Sequence, residues 1–195
     1  MVTGGAGFIG SHVVDLLIQQ GYCVIVVDDL SGGKKEHVNR EALFYQVDIN
    51  DPGLEKIFQE EGPDYVCHLA AQISVSYSVG HPRIDAQKNI MGLLNMLDCA
   101  RKSQVKGIVF SSSGGTIYGE PDTFPVSESC PFAPSSPYGI AKMTSEYYLD
   151  FYYRFYGLNY VSLRFANVYG PRQDPFGEAG VISIFTQKML NGEAP

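Results

Sequence analysis

A tyrosine and a lysine stand four residues apart, Tyr138 and Lys142, within Ser-Pro-Tyr-Gly-Ile-Ala-Lys. On a helix this spacing puts both on one face, so a phenol and an ammonium can address the same ligand. A free phenol has a pKa near 10, and using its phenolate near neutral pH takes roughly 4 kcal/mol of stabilisation. An ammonium ~6 Å away at an effective dielectric of ~20 supplies about 2.8 kcal/mol. One charge falls short; two of that size suffice. The pair therefore predicts proton transfer at a hydroxyl, provided that a second cation lies beside it. Without further signals, an aromatic and a lysine on an amphipathic helix would be the simpler reading.

The further signal stands about 130 residues upstream. Thr3-Gly4-Gly5-Ala6-Gly7-Phe8-Ile9-Gly10 satisfies both Gly-x-x-Gly-x-x-Gly and Gly-x-Gly-x-x-Gly. Such a loop allows a tight turn, close backbone approach to a pyrophosphate, and a helix packed hard against its strand. The helix starting near Phe8 and Ile9 would aim its N–H groups at phosphates. The next strand ends in Asp28-Asp29, where an acid accepts hydrogen bonds from ribose hydroxyls and repels a 2′-phosphate. NAD rather than NADP is the cofactor expected, and its oxidised nicotinamide is the second cation. Asp48-Ile49 could reach the adenine. Leu69-Ala70-Ala71-Gln72 offers small residues where phosphates and ribose lie close, and Asn89 sits in the helix that follows. Each of these, taken singly, reads as readily as a structural residue.

A third hydroxyl comes from the run Ser111-Ser112-Ser113-Gly114-Gly115-Thr116. It follows a predicted strand, at the end where ligands collect in open α/β sheets. A serine there can hydrogen-bond a substrate oxygen and relay its proton toward Tyr138.

The elements that must hold these groups alternate. Residues 22–27, 43–47, 65–69, 107–111 and 160–165 read as strands, near-continuously apolar as buried parallel strands are. Residues 8–20, 53–60, 83–101 and 138–156 carry helical spacing. This predicts an α/β fold with a doubly wound parallel sheet of Rossmann type. Only Met1, Val2 and Thr3 precede the glycine loop, so the central first strand is expected to be short and the chain incomplete at both ends.

With 195 residues, 45% apolar and 18% charged, the chain reads as an ordinary globular protein. Its net charge of −7 argues against nucleic acid as a partner. No apolar run is long enough for a membrane and no leader pattern is seen, so a cytoplasmic location is expected. Cys23, Cys67, Cys99 and Cys130 are scattered, three of them in apolar surroundings that suggest buried thiols. The histidines are scattered too, and no metal site is expected.

Taken together, the motifs resemble the extended short-chain dehydrogenase/reductase family, within it the nucleotide-sugar 4-epimerases acting on UDP-sugars. The likeness spans the whole chain, through Thr-Gly-Gly-Ala-Gly-Phe-Ile-Gly-Ser-His, Val-Asp-Asp-Leu, His-Leu-Ala-Ala-Gln, Phe-Ser-Ser-Ser, Ser-Pro-Tyr-Gly-Ile-Ala-Lys and Leu-Arg-Phe-Ala-Asn-Val-Tyr-Gly-Pro-Arg-Gln. The resemblance implies Tyr138 as the base, Lys142 as its electrostatic partner and ribose anchor, and Ser113 as the third member. Ser113, Tyr138, Asn167, Val181 and Ile182 would contact the sugar nucleotide. Gly4, Gly7, Phe8, Ile9, Gly10, Asp28, Asp29, Asp48, Ile49, Leu69, Ala70, Ala71, Asn89, Tyr138 and Lys142 would contact NAD. Residues 1–170 would form the NAD-binding domain, and 171–195 the start of a small, incomplete C-terminal substrate domain. The 195 residues alone are accordingly expected to bind NAD weakly, with little turnover.

Gly114-Gly115 adds one residue relative to many members of the family, which leaves Ser112 or Thr116 open as the active hydroxyl. The related 4,6-dehydratases carry an acid just after that hydroxyl, whereas here the positions are glycine. Epimerisation at C4 of a UDP-sugar through a transient 4-keto sugar is the expected reaction. Another nucleotide-sugar epimerase, a reductase, a dehydratase, or an NAD-binding fragment without turnover is the alternative. Tyr147, Tyr148, Phe151, Tyr152, Phe155 and Tyr156 read first as core packing; the resemblance instead implies a homodimer built on this face and on the helix at 83–101.

Overall fold

The computed structural model describes residues 1–175 and 180–194. Strand–helix alternation runs β1 (Val2–Thr3), α1 (Phe8–Gln19), β2 (Ile25–Val27), β3 (Leu43–Tyr45), α2 (Leu54–Glu61) and β4 (Tyr65–His68). It continues through two short helices, α3 (Val75–Gly80) and α4 (Pro82–Ala86), a π-helical segment Gln87–Met91, and α5 (Gly92–Lys102). Then come β5 (Gly107–Ser113), α6 (Pro137–Tyr156), β6 (Tyr160–Phe165) and α7 (Val181–Leu190).

The six strands form one parallel sheet in the order β3-β2-β1-β4-β5-β6. This is the Rossmann-type order, and its direction reverses between β1 and β4, where ligands bind outside the strand ends. β1 has only two residues, yet it is laddered on both sides: Val2 opposite Val26 and Cys67, Thr3 opposite Val27 and His68. Double pairing and complete burial hold it in place of length.

Two apolar layers cover the sheet. On one face Leu54 and Phe58 of α2, Leu93, Met96 and Leu97 of α5, and Leu149 of α6 pack on Val66, Ile108 and Phe110. On the other, Val14 of α1 packs on Val2, Val24 and Val26. Each such fully buried side chain contributes about 1.5–3 kcal/mol of transfer free energy.

The helix carrying the tyrosine–lysine pair has strong local signals at both ends. Pro137 occupies its first turn, the Ser136 hydroxyl accepts the Gly139 N–H at 3.1 Å, and Gly157 closes it at φ 70°. Tyr138 is thereby set in the first turn, at the C-terminal end of the sheet.

Three expectations change. The helix expected over 83–101 is divided by the π-helical turn, which starts after Ala86 and carries Asn89. The aromatic face of α6 is not core: only Tyr152 is buried, its hydroxyl donating to Asp98 at 2.8 Å, while Tyr147, Tyr148, Phe151, Phe155 and Tyr156 are exposed. Of the cysteines only Cys99 is buried; Cys67 and Cys130 are half-buried, Cys23 is exposed, and all four are free thiols. Apolar neighbours in sequence do not report which way a side chain points when the element lies at an edge. Among the described residues no helix is long and apolar enough to cross a membrane, and no cluster of three His, Cys, Asp or Glu could hold a metal ion.

Candidate active site

The glycine loop joins β1 to α1 and is packed against the start of the segment after β4. Gly4 adopts φ +71°, a left-handed conformation that glycine accepts without cost. A Cβ there would lie 2.7 Å from the Ala70 amide nitrogen, and one on Gly10 would lie 2.1 Å from the Gly4 carbonyl oxygen. Gly7 precedes α1 with no side chain to cap it, leaving the first-turn N–H groups, Phe8 and Ile9 among them, to serve an anion. This cradle fits a pyrophosphate.

Asp28 lies at the end of β2 and is largely buried. Its Oδ2 accepts the Ala6 N–H at 2.9 Å and its Oδ1 the Leu30 N–H at 2.8 Å. Burial raises its pKa, the two N–H bonds oppose that, and Asp29 adds to the rise. Asp28 thus braces the glycine loop, and an ionised carboxylate retains further acceptor sites for a ribose. Asp29 accepts from the Ser31 N–H and hydroxyl, with Lys88 3.9 Å from its other oxygen.

Asp48 closes a turn by accepting from the Asn50 N–H at 2.8 Å, and Ile49 is buried in the main core. Leu69 and Ala70 are held by Thr3, through its carbonyl at 3.1 Å and its hydroxyl at 3.3 Å; Ala71 follows, half-buried. Asn89 does not stand free. Its amide donates to the Gln72 carbonyl and to Asp85, and its oxygen accepts the Gln72 N–H. It fastens the loop at 70–72 to the π-helical turn.

Tyr138, Ser113 and Lys142 come together. Ser113 lies close enough to the Tyr138 phenol to oppose the rise in its pKa. The Lys142 Nζ lies 5.7 Å from the Tyr138 ring centroid and 4.8 Å from that of Phe110, donating to the Ser111 carbonyl at 2.8 Å. Ser78, on α3, accepts the Tyr138 N–H at 3.2 Å.

Burial works against both charged forms. It pushes the Tyr138 phenol up to about 12, with Asp85 adding to the rise and Ser113 opposing it. It pushes Lys142 down to about 8, with Asp85 resisting. The lysine remains mostly protonated at neutral pH but with a smaller margin than a free ammonium.

Strand pleat separates the serines. Ser111 and Ser113 point to one face and Ser112 to the other, where its hydroxyl donates to Glu146 at 2.5 Å. The Thr116 hydroxyl is buried without a hydrogen-bond partner among the described residues. Asn167, after β6, and Val181 and Ile182, opening α7, are exposed. Two surface depressions lie along α6, one lined by Asp150, Tyr153, Asn159 and Tyr160, the other by Thr144, Tyr147, Tyr148 and Phe151; neither contains a candidate residue.

Sequence reasoning missed the brace beneath this site. Glu146 receives Arg164 at 2.7 Å in a nearly buried ion pair, and Arg164 also donates to the Tyr118 hydroxyl at 2.6 Å. Eighteen positions separate the pair, so no local spacing signals it. Burial pushes the Glu146 carboxyl up, but Arg164 and Ser112 outweigh it and hold the pKa below its ordinary value. A depressed folded-state pKa gives stability that is present above the unfolded carboxylate pKa and lost as pH falls through the folded one. Thermal melts of the wild type are expected to fall below about pH 4.5. Glu146→Gln should cost about 3 kcal/mol at pH 7 and flatten that acid slope; an unchanged slope would assign acid sensitivity elsewhere.

Fold and site define a Rossmann-type α/β protein built around a dinucleotide crevice with a tyrosine–lysine pair at its edge. The chain belongs to the NAD dependent epimerase/dehydratase family, whose profile matches residues 1–195. It is similar to the crystal structure of UDP-glucose 4-epimerase with UDP-glucose from Thermotoga maritima, at 59% identity and TM-score 0.96, covering 98% of this chain and 63% of that one. The UDP-glucose 4-epimerase of Thermus thermophilus, in complex with NAD, matches at 49% identity and TM-score 0.95, covering 98% and 62%. The UDP-glucose 4-epimerase of Mycolicibacterium smegmatis is 44% identical over 197 residues, 98% of this chain and 63% of that protein. The chain thus spans somewhat under two thirds of these relatives' length.

Proposed function

We propose that the full-length protein is an NAD-dependent epimerase acting at C4 of a UDP-sugar of the glucose/galactose type. The observation that carries this reading is the Tyr138–Ser113–Lys142 group at the mouth of the glycine-loop crevice. NAD, when bound, supplies the hydride acceptor and donor at C4. Tyr138 takes the proton of the C4 hydroxyl and returns it to the same oxygen after the 4-keto sugar has turned its other face. Ser113, beside the phenol, would orient that oxygen and share the proton. Lys142 supplies positive charge beneath the phenolate and a donor for the nicotinamide ribose.

Gly4, Gly7, Phe8, Ile9 and Gly10 would cradle the pyrophosphate, Asp28 and Asp29 the adenosine ribose, and Asp48 with Ile49 the adenine. Leu69, Ala70 and Ala71 would line the phosphate path, with Asn89 holding them. Asn167, Val181 and Ile182 would meet the sugar nucleotide once the rest of the protein is folded over them. Residues 1–170 would be the NAD-binding domain and 171–195 the beginning of the substrate domain, of which 176–179 and 195 lie outside the described residues.

Epimerase is favoured over dehydratase by the glycines after Ser113. A side chain on Gly115 would meet open space, so an acid would fit there. At Gly114 a Cβ would lie 3.1 Å from the Arg164 carbonyl oxygen; neither glycine offers the acid and base beyond Tyr138 that eliminating water needs.

The exposed aromatics of α6 support a homodimer, since an apolar patch of this kind marks an interface. Four free thiols fit a reducing, cytoplasmic location. The test is turnover of the full-length protein with UDP-glucose, UDP-N-acetylglucosamine and their 4-epimers, with light scattering of the same sample. Interconversion of at least one pair without net consumption of NAD is expected, from a dimer. NAD binding with no turnover of any of them would leave a binding protein.

A further inference from the structure

One buried carboxylate beside the candidate site takes no part in the chemistry above. Asp85, on α4, is 1% exposed. Its Oδ1 accepts N–H groups from Gln72 Nε2 at 2.8 Å and Asn89 Nδ2 at 2.9 Å. Its Oδ2 is buried and has no hydrogen-bond partner among the described residues. A charge so enclosed requires an opposite charge nearby. α4 packs on α6, and α6 carries the equally enclosed Lys142, 4% exposed. No described ion pair joins the two directly, so the attraction acts across the interface rather than by contact.

We propose that Asp85 is a positioning residue for the Tyr138–Lys142 pair, its carboxylate serving as the counter-charge that keeps the Lys142 ammonium in place across the α4–α6 interface. The other titratable or charged groups on the surrounding elements include His68 on β4, buried and subject to the Lys142 charge, Tyr138 and the Arg164-paired Glu146 on α6, Tyr77 on α3 with His81 stacked on it, Arg83 on α4, and Lys88, which is turned toward Asp29. Burial raises the Asp85 pKa, and the Gln72 bond, the Lys142 charge and the Asn89 bond oppose that rise.

The same negative charge has a second consequence. It adds to the rise that burial imposes on the Tyr138 phenol, so forming the phenolate there calls for added positive charge. Asp85 thereby favours the charged lysine and disfavours the phenolate. Through Gln72 and Asn89 it also fixes the loop after β4, so one residue sets both the charge and the wall of the crevice.

The electrostatic coupling stands without the epimerase reading; only its consequence for turnover rests on it. In cofactor-free full-length protein, the ¹³Cε signal of Lys142, located by its loss in Lys142→Arg, is followed against pH. The midpoint is expected near the 8 set by burial and Asp85 together, and in Asp85→Asn about one pH unit lower. Asp85→Glu, which keeps the charge, should stay within about 0.3 unit of wild type. An unmoved midpoint in Asp85→Asn, or an equal fall in Asp85→Glu, overturns the proposal. Should Asp85→Asn fail to fold, the ¹³C carboxyl signal of Asp85 in the wild type decides, since a protonated group at pH 7 carries no counter-charge. In turnover, the alkaline limb of kcat/KM should move down with the lysine midpoint, and a limb that stays put while the midpoint moves overturns the catalytic consequence. Wild-type protein without turnover would refute the epimerase reading and leave the titration to judge Asp85.

Discussion

Tyr138→Phe in the full-length protein is expected to lower kcat/KM by about 10²–10⁴-fold, the range supplied by a positioned acid–base group. The phenyl ring keeps its seat in the first turn of α6, and Lys142 keeps its place 5.7 Å from the ring centroid. Cofactor and sugar nucleotide should therefore still bind, and the loss should fall on kcat rather than KM. Burial pushes the wild-type phenol up to about 12, so on this reading the reactive phenolate would need added positive charge. The rate should accordingly rise with pH on the acid side, with an apparent pKa far below 12 in the NAD complex, and this limb should vanish in the variant. Steady-state kinetics across pH, with bound cofactor measured in the same samples, checks both parts. Turnover within tenfold of wild type would remove Tyr138 as the base.

Gly10→Ala is expected to have the second large effect, through backbone geometry alone. The new methyl would sit 2.1 Å from the Gly4 oxygen, 2.8 Å from its carbonyl carbon and 2.9 Å from the Gly5 Cα. All three are main-chain atoms, so no side chain can swing aside. The loop must move or α1 must lift, costing about 1–3 kcal/mol or more by overpacking. Either displaces the first-turn N–H groups from the phosphates, and NAD affinity should fall by at least about 100-fold, roughly 2.7 kcal/mol. Gly80→Ala serves as a control: its Cβ would meet nothing within 4 Å, and stability should stay within about 0.5 kcal/mol. Calorimetric titration with NAD and thermal melts of both variants give the comparison. A Gly10→Ala protein that binds NAD normally would mean that the cradle is not where the pyrophosphate rests.

The two substitutions probe the parts of the site that were most legible in the linear chain. Gly4, Gly7 and Gly10 declare themselves because a close backbone approach tolerates no other residue. Tyr138 and Lys142 declare themselves because a helix repeats its faces every three to four positions. The parallel α/β layering was accessible too. Apolar runs alternating with helices force parallel pairing through right-handed crossovers, and the six-stranded sheet follows that pattern.

What lay beyond the chain's own periodicity is whatever depends on a partner distant in sequence. The two glycines after the serine run left the active hydroxyl open among Ser112, Ser113 and Thr116. The tertiary structure shows that β5 extends to Ser113 and that the Ser112 hydroxyl donates to Glu146, which stands eighteen positions from its own partner Arg164. The aromatic stripe of α6 looked like core, yet its rings lie outside because the sheet already has its cover in α2, α5 and the inner face of α6.

Asp85 carries no motif, and its isolation opposite Lys142 exists only once α4 is laid on α6. The ionisation of the pair was beyond reach for the same reason. Spacing establishes which groups are neighbours along a helix, whereas burial, which raises the phenol and lowers the lysine, is set by everything packed above them. Local geometry is written in the order of residues; the electric field at a buried atom is a sum over the whole fold.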